Sequence, residues 1–273
     1  MILFPNAKIN LGLNIARKRP DGYHDIETLF YPVKGLYDIL EVVPTDGESN
    51  TIEFNQTGIG IDCDIENNLC VKAYRLLAQH YGMPHVKMHL HKLIPMGAGL
   101  GGGSADAAFT LKALNTFLKE PLGEDRLGAL AIELGSDCPF FLWNTPAIGR
   151  GRGELLDLVD VNLDGYWVLL VNPGIHVSTK EAYEGCRSKP WEIPIGKVLS
   201  MPVNAWRDVL QNDFEPTVFA KYPTIAMVKE ELYRMGATYA SMSGSGSTLY
   251  GLFLNKPNIP SSFSNYYFHI SCL

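Results

Sequence analysis

Hydrophobic and polar residues alternate from the start of the chain. Phe4, Ala7, Ile9, Leu11 and Leu13 are apolar and fall mostly on one parity, with Asn6, Lys8, Asn10, Gly12 and Asn14 on the other. A period of two predicts a strand with a polar face. Pro20-Asp21-Gly22 is a turn, so residues 23–31 are predicted as the return strand. Residues 38–43 and 51–54 are further strand candidates. Over residues 67–81 the apolar positions Leu69, Ala73, Leu76 and Leu77 take helical spacing. Val86, Met88 and Leu90 alternate with Lys87, His89 and His91, the pattern of a half-exposed strand in an antiparallel sheet.

A glycine-rich turn follows, then a helix with Ala107, Ala108, Leu111, Leu114 and Leu118 on one face. A second helix over 124–134 stops at Gly135. Residues 144–153, rich in Gly and Pro, read as a connector. From Tyr166 the pattern restarts with a strand, an Asn172-Pro173-Gly174 turn, a helix and a proline-rich stretch to about Pro202. A helix over 224–235 ends at Gly236, and strands follow at 237–242, 248–254 and 266–271. Helices mixed with antiparallel strands give an α+β class. The domain boundary is expected near residue 155.

Composition narrows the functional classes. At roughly 150 residues per domain, 273 residues suggest two domains, with enough chain to bury a core without disulfides or metals. The 23 basic and 29 acidic residues give a net charge of −6, which argues against general nucleic-acid binding. The longest strongly apolar run, residues 166–171, is far below the ~18 residues of a membrane helix. The first residues form neither a basic leader nor a long apolar core, so a cytoplasmic protein without a secretion signal is expected. Cys63, Cys70, Cys138, Cys186 and Cys272 are scattered and form no C-x-x-C. This favours reduced thiols and argues against a zinc site.

The strongest local signal is Pro95-Met96-Gly97-Ala98-Gly99-Leu100-Gly101-Gly102-Gly103-Ser104. A glycine run lets backbone amides converge as an anion nest. The helix that follows adds unpaired N–H groups and partial positive charge. Together they make a phosphate cradle; the bland alternative is a flexible turn capped by serine. Ser104 could cap the helix, bind phosphate or ligate a phosphate-bound Mg²⁺. Gly97-x-Gly99-x-x-Gly102 also satisfies the dinucleotide fingerprint, but the preceding strand alternates with Lys and His, and no acid follows at the expected distance. A Walker A Gly-Lys-Ser/Thr and the protein-kinase motifs are both missing.

Four weaker signals accompany the loop. Lys8 and Asn10 share the polar face of the first strand, about 7 Å apart by strand rise; Lys8 alone is either a solvated edge charge or a functional cation. Asp137, in Gly135-Ser136-Asp137-Cys138-Pro139-Phe140-Phe141, is either a cap or a rigid cleft carboxylate. Ser243-Gly244-Ser245-Gly246-Ser247-Thr248 lies between two strands and is either a hairpin turn or part of a site. Gly22-Tyr23-His24 puts an aromatic and a histidine at the start of a strand, which by themselves read as a surface hairpin pair.

In combination these segments are far more specific. Ala7-Lys8-Ile9-Asn10-Leu11, the loop from Pro95 to Ala108, Gly135 to Phe141 and Ser243 to Gly246 occur in an order that resembles the GHMP kinase superfamily, over residues 5 to about 251. The resemblance implies a two-domain GHMP kinase fold with the active site in a cleft. Residues 1–155 would form an ATP-binding domain like domain 2 of ribosomal protein S5. Residues 156–273 would form a ferredoxin-like domain, its last strand a candidate for packing back on the first.

Asp21-Gly22-Tyr23-His24 and the wording Gly-Leu-Gly-Gly-Gly-Ser further resemble the branch acting on cytidine diphosphate methylerythritol in non-mevalonate isoprenoid synthesis. That branch implies ATP and Mg²⁺, a small-molecule substrate, no nucleic acid or membrane partner, and a monomer or homodimer. By the resemblance Lys8 and Asp137 are the catalytic pair, and Pro95, Met96, Gly97, Ala98, Gly99, Leu100, Gly101, Gly102, Gly103, Ser104 and Ala105 hold ATP phosphates. Tyr23 and His24 meet the cytosine, with Tyr183 completing its sandwich. Asn10 contacts the erythritol portion, and Gly244, Ser245 and Gly246 line the cleft. Ser104 is also the metal-ligand candidate. Ala105 stands where the branch often has a second serine, and Trp143 where a smaller or basic residue is expected. Other readings are a homoserine, mevalonate or sugar kinase of the same superfamily, and a non-catalytic nucleotide-binding regulator.

Overall fold

The computed structural model describes residues 1–60, 64–186 and 193–273. In chain order the strands are β1 (Ile2–Leu3), β2 (Asn6–Lys18), β3 (His24–Tyr37), β4 (Ile39–Pro44), β5 (Ile52–Gly58), β6 (Val86–Lys92), β7 (Ala147–Arg150), β8 (Leu155–Leu158), β9 (Trp167–Asn172), β10 (Tyr239–Met242), β11 (Leu249–Phe253) and β12 (Tyr267–Cys272). The helices are α1 (Leu69–Tyr81), α2 (Gly102–Asn115), α3 (Glu124–Leu134), α4 (Cys138–Trp143), α5 (Thr179–Glu184), α6 (Ile195–Leu199), α7 (Trp206–Val209), α8 (Glu215–Lys221) and α9 (Pro223–Arg234). They group into two compact units, each assembled from separate stretches of chain. One comprises residues 1–7, 36–96 and 101–145, and the other 8–35, 97–100 and 146–273.

In the first unit the sheet order is β1-β4-β6-β5. β4 runs antiparallel to β6, as the alternation predicts, but β5 runs parallel to it, with Ile52 opposite Val86. The sheet is therefore mixed. The reason is α1, which lies between β5 and β6 in the chain and supplies the crossover that parallel neighbours need. Asn68 caps α1 by accepting from the Cys70 amide at 2.9 Å, and Gly82 ends it at φ +68°. Val86, Met88 and Leu90 pack with Tyr74 and Leu77 of α1 and Leu111 and Leu114 of α2 in one apolar core. Lys87 is left exposed on the opposite face.

The second unit carries two sheets, ordered β2-β3-β7-β8 and β10-β11-β9-β12. The expected connector at 144–153 is largely regular: β7 pairs antiparallel with β8 across a turn at 151–154. Positive φ at Gly151 and Gly153 makes that turn possible. β12 pairs antiparallel with β9. Leu169 and Val171 of β9 share a core with Val218 of α8 and with Ile225, Val228 and Leu232 of α9. The short helices α4, α6, α7 and α8 have no counterpart in the sequence reading. Helices of four to seven residues show too few turns to display a period.

The cysteines at 70, 138, 186 and 272 are free, while Cys63 lies outside the described residues, as does part of the proline-rich stretch. Among the described residues no helix is long and apolar enough to cross a membrane.

Candidate functional site

The polar face of β2 is not solvated. Lys8 is 3% exposed and Asn10 2%, with Asn6 and Asn14 also buried. This corrects the edge-charge alternative for Lys8. A buried ammonium needs polar company, and Lys8 Nζ donates to Asn10 Oδ1 at 2.5 Å and lies 5.3 Å from the centre of the Phe30 ring. Asn10 is fixed in turn. Its side-chain amide donates to Thr28 Oγ1 at 3.0 Å, and its backbone carbonyl accepts from the Tyr250 hydroxyl at 2.8 Å.

The same part of the second unit gathers the predicted serine–glycine turn and the middle of the glycine loop. The Lys8 amide donates to the Leu100 carbonyl at 2.9 Å. Ser243 Oγ donates to the Gly99 carbonyl at 2.7 Å and accepts from the Asn10 amide at 3.2 Å. The Thr248 amide donates to the Ala98 carbonyl. Gly99, at φ +78°, has no room for a side chain, since a Cβ there would collide with the Ser243 carbonyl. Gly244 packs against Gly99 and Asn10. Ser245 Oγ lies 3.3 Å from the Thr179 hydroxyl, and Gly246 takes φ +93°.

One residue missed from sequence organises this turn. The buried Asn212 donates to the carbonyls of Met242 at 2.7 Å and Gly244 at 2.8 Å, and accepts from the Phe214 amide. Nothing in local periodicity marks it; the signal available was an Asn-Asp pair just before α8, a site where side chains bond to backbone.

The aromatic candidates lie in the second unit too, with a different pairing from the expected one. His24 stacks on Tyr183, centroids 4.5 Å apart and planes at 12°, and Tyr183 meets Phe214 edge-on at 4.8 Å. His24 therefore already covers a face of Tyr183. Burial, and secondarily Lys18, lowers the His24 pKa, so its ring is neutral near pH 7. Tyr23 is 56% exposed and carries the Arg152 guanidinium 5.0 Å from its ring centre. Arg152 was not anticipated; it sits in the β7–β8 turn that was read as a connector.

The first unit holds both ends of the glycine loop and Asp137. α2 begins at Gly102, and its N-cap is Gly101 in the left-handed region, with no side-chain cap. Ser104 therefore does not cap the helix, which removes that alternative. Pro95 is half-buried, Met96 exposed, and Gly103 half-buried, whereas Ala105 is buried in α2. Asp137 occupies the N-cap position of α4, yet its side chain makes no cap hydrogen bond. The next residue, Cys138, is buried and bonds to Ser104; burial pushes its thiol up to about 12, so it stays protonated and unreactive. Trp143 closes α4 half-exposed. Among the described residues no three or more His, Cys, Asp or Glu side chains converge as a metal cage.

The family model for the GHMP kinases N terminal domain matches residues 68–145, and that for GHMP kinases C terminal matches residues 200–263. The chain is similar to the 4-diphosphocytidyl-2-C-methyl-D-erythritol kinase of Cytophaga hutchinsonii, 49% identical over 258 residues covering 94% of both chains. It is 48% identical to the protein of the same name from Bacteroides thetaiotaomicron over 260 residues, 95% of this chain and 94% of that one. The crystal structure of a 4-(cytidine 5'-diphospho)-2C-methyl-D-erythritol kinase matches it with a TM-score of 0.79 at 32% identity, covering 92% of this chain and 90% of that one.

Proposed function

The chain belongs to the 4-diphosphocytidyl-2-C-methyl-D-erythritol kinase family of GHMP kinases, and we propose that it transfers the γ-phosphate of ATP to the 2-hydroxyl of that cytidine diphosphate derivative, in the non-mevalonate route to isoprenoids. The observation that carries this reading is the near-half identity to such kinases over 94% of the chain. The two family models fall on either side of residue 155, which supports domains of 1–155 and 156–273.

Phosphoryl transfer needs positioning and charge neutralisation more than covalent help. Residues 95–105 are assigned to the ATP phosphates, which their backbone amides and the start of α2 would bind. Asp137, at the start of α4, accepts the proton of the attacking hydroxyl. Lys8 offers positive charge to the transferring phosphoryl group, and Asn10 holds its ammonium in place. Tyr23, His24 and Tyr183 are assigned to the cytosine, and Gly244 to Gly246 to the wall of the substrate site. His24, stacked and neutral, has hydrogen-bonding capacity for a base edge. Mg²⁺ would be bound with ATP and would supply charge neutralisation at its phosphates. Ser104 is the protein hydroxyl assigned to it.

The test is the product. Phosphorus NMR of the reaction with ATP should show ADP and a new phosphomonoester on the 2-oxygen of the methylerythritol portion. A phosphate elsewhere on the substrate, or ADP with free phosphate only, contradicts the assignment.

A further inference from the structure

Three buried charges in the first unit have no role in the account above. Lys92, the last residue of β6, is fully buried. Its ammonium donates to Asp38, also fully buried, and at 2.7 Å to Oδ2 of Asp106, which is 2% exposed. These are not solvated surface pairs, and burying them is costly unless the geometry repays it. Burial pushes the Asp106 carboxyl up against the pull of Lys92. Burial also opposes the Lys92 charge, but Asp106 and Asp38 outweigh it and hold the ammonium above its ordinary pKa.

The network joins three stretches of chain that meet at the glycine loop. Asp38, just before β4, uses its second oxygen to accept the amides of Leu93 at 2.6 Å and Ile94 at 2.9 Å. Those two residues lead directly into Pro95. Asp106 lies in α2, four residues past its start at the loop's exit. Gly102 sits so close above Lys92 that a Cβ there would lie 3.2 Å from Nζ and 2.9 Å from the Ile94 side chain. The loop thus enters under the hold of Asp38 and leaves under the hold of Asp106, and one ammonium ties both.

We propose that Asp38, Lys92 and Asp106 form a clamp that fixes the entry and exit of the glycine loop and so positions its amides for the triphosphate of ATP. All three are positioning residues, and the proposal rests on the kinase reading. It predicts a selective defect: nucleotide binding suffers while handling of the alcohol substrate does not.

The test variant is Asp106→Leu. It is close in volume, leaves the Lys92–Asp38 pair intact and releases only the exit. A non-hydrolysable ATP analogue titrated calorimetrically should bind about tenfold to a hundredfold more weakly than to wild type, as expected for a small misplacement of binding groups. KM for the cytidine substrate should stay within twofold. Asp106→Asn, which keeps an oxygen acceptor for Lys92, should recover most of the affinity. Wild-type affinity in Asp106→Leu overturns the clamp, as does an equal loss for both substrates. A second measurement needs no variant. The Leu93 and Ile94 amides of wild type should rank among the slowest-exchanging in the chain, and rapid exchange would also overturn it. If wild type binds no ATP analogue, it is the kinase reading that fails.

Discussion

Among the described residues two lysines are buried, Lys8 and Lys92, and they lie in different settings. Lys92 is held between two buried carboxylates, and its charge is spent inside the fold. Lys8 donates to the neutral side-chain oxygen of Asn10 and lies over Phe30, among residues that also meet the glycine loop and the serine–glycine turn. A cation set between internal acids can tie chain segments together; one set beside the glycine loop and the serine–glycine turn is placed to offer its charge to a ligand. The comparison teaches that burial alone does not mark a catalytic lysine. The chain segments beside it do.

The largest expected effect is at the carboxylate assigned to accept the proton. Asp137→Asn should lower kcat by about 10²–10⁴-fold with the circular dichroism spectrum unchanged; turnover near wild type would remove Asp137 from the mechanism. Next is Lys8→Met, which keeps the length of the side chain but removes its charge. It should lower kcat by about 10²–10³-fold with little change in KM for ATP. If Lys8→Met instead raised KM for ATP and spared kcat, the two lysines would have exchanged roles.

A smaller effect is expected at the aromatic platform. Tyr23→Ala should raise KM for the cytidine substrate about tenfold, because one base–aromatic stack contributes roughly 1–3 kcal/mol. KM for ATP should not move, and steady-state kinetics with each substrate varied will show whether it does.

The smallest effect extends the comparison to a buried base without an acid. His269 of β12 has its Nε2 buried with no hydrogen-bond partner, and burial lowers its pKa. Between that lowered value and the ordinary value near 6.5, the unfolded chain binds more protons than the folded one. Stability should therefore rise with pH across this window and fall as pH drops below about 6.5. Denaturant unfolding at several pH values, compared with His269→Gln, measures it; an unchanged slope in the variant would rule His269 out as the source.

Much of the molecule was legible from the residues. Period two marked β2 and β6, apolar spacing marked α1, and a terminal glycine marked the end of α3. The glycine loop announced itself because only glycine tolerates the positive φ at 97, 99 and 101. What escaped depends on distant partners. Lys92 continues the buried parity of Val86, Met88 and Leu90, which was a usable sign, but its partners stand 54 and 14 residues away. Asn212 acts on carbonyls 30 and 32 residues later. The parallel pairing of β5 with β6 was hidden because alternation reports one exposed face, not strand direction. The His24–Tyr183 stack joins residues 159 positions apart (183 − 24), beyond the reach of any local pattern.

The central claim is that a GHMP kinase scaffold here serves a cytidine diphosphate alcohol. The most direct test is ADP release from ATP and Mg²⁺ with 4-diphosphocytidyl-2-C-methyl-D-erythritol, homoserine, mevalonate and galactose offered separately. The account predicts turnover with the cytidine compound alone. Turnover with one of the others instead, or with none of them despite ATP binding, would contradict it.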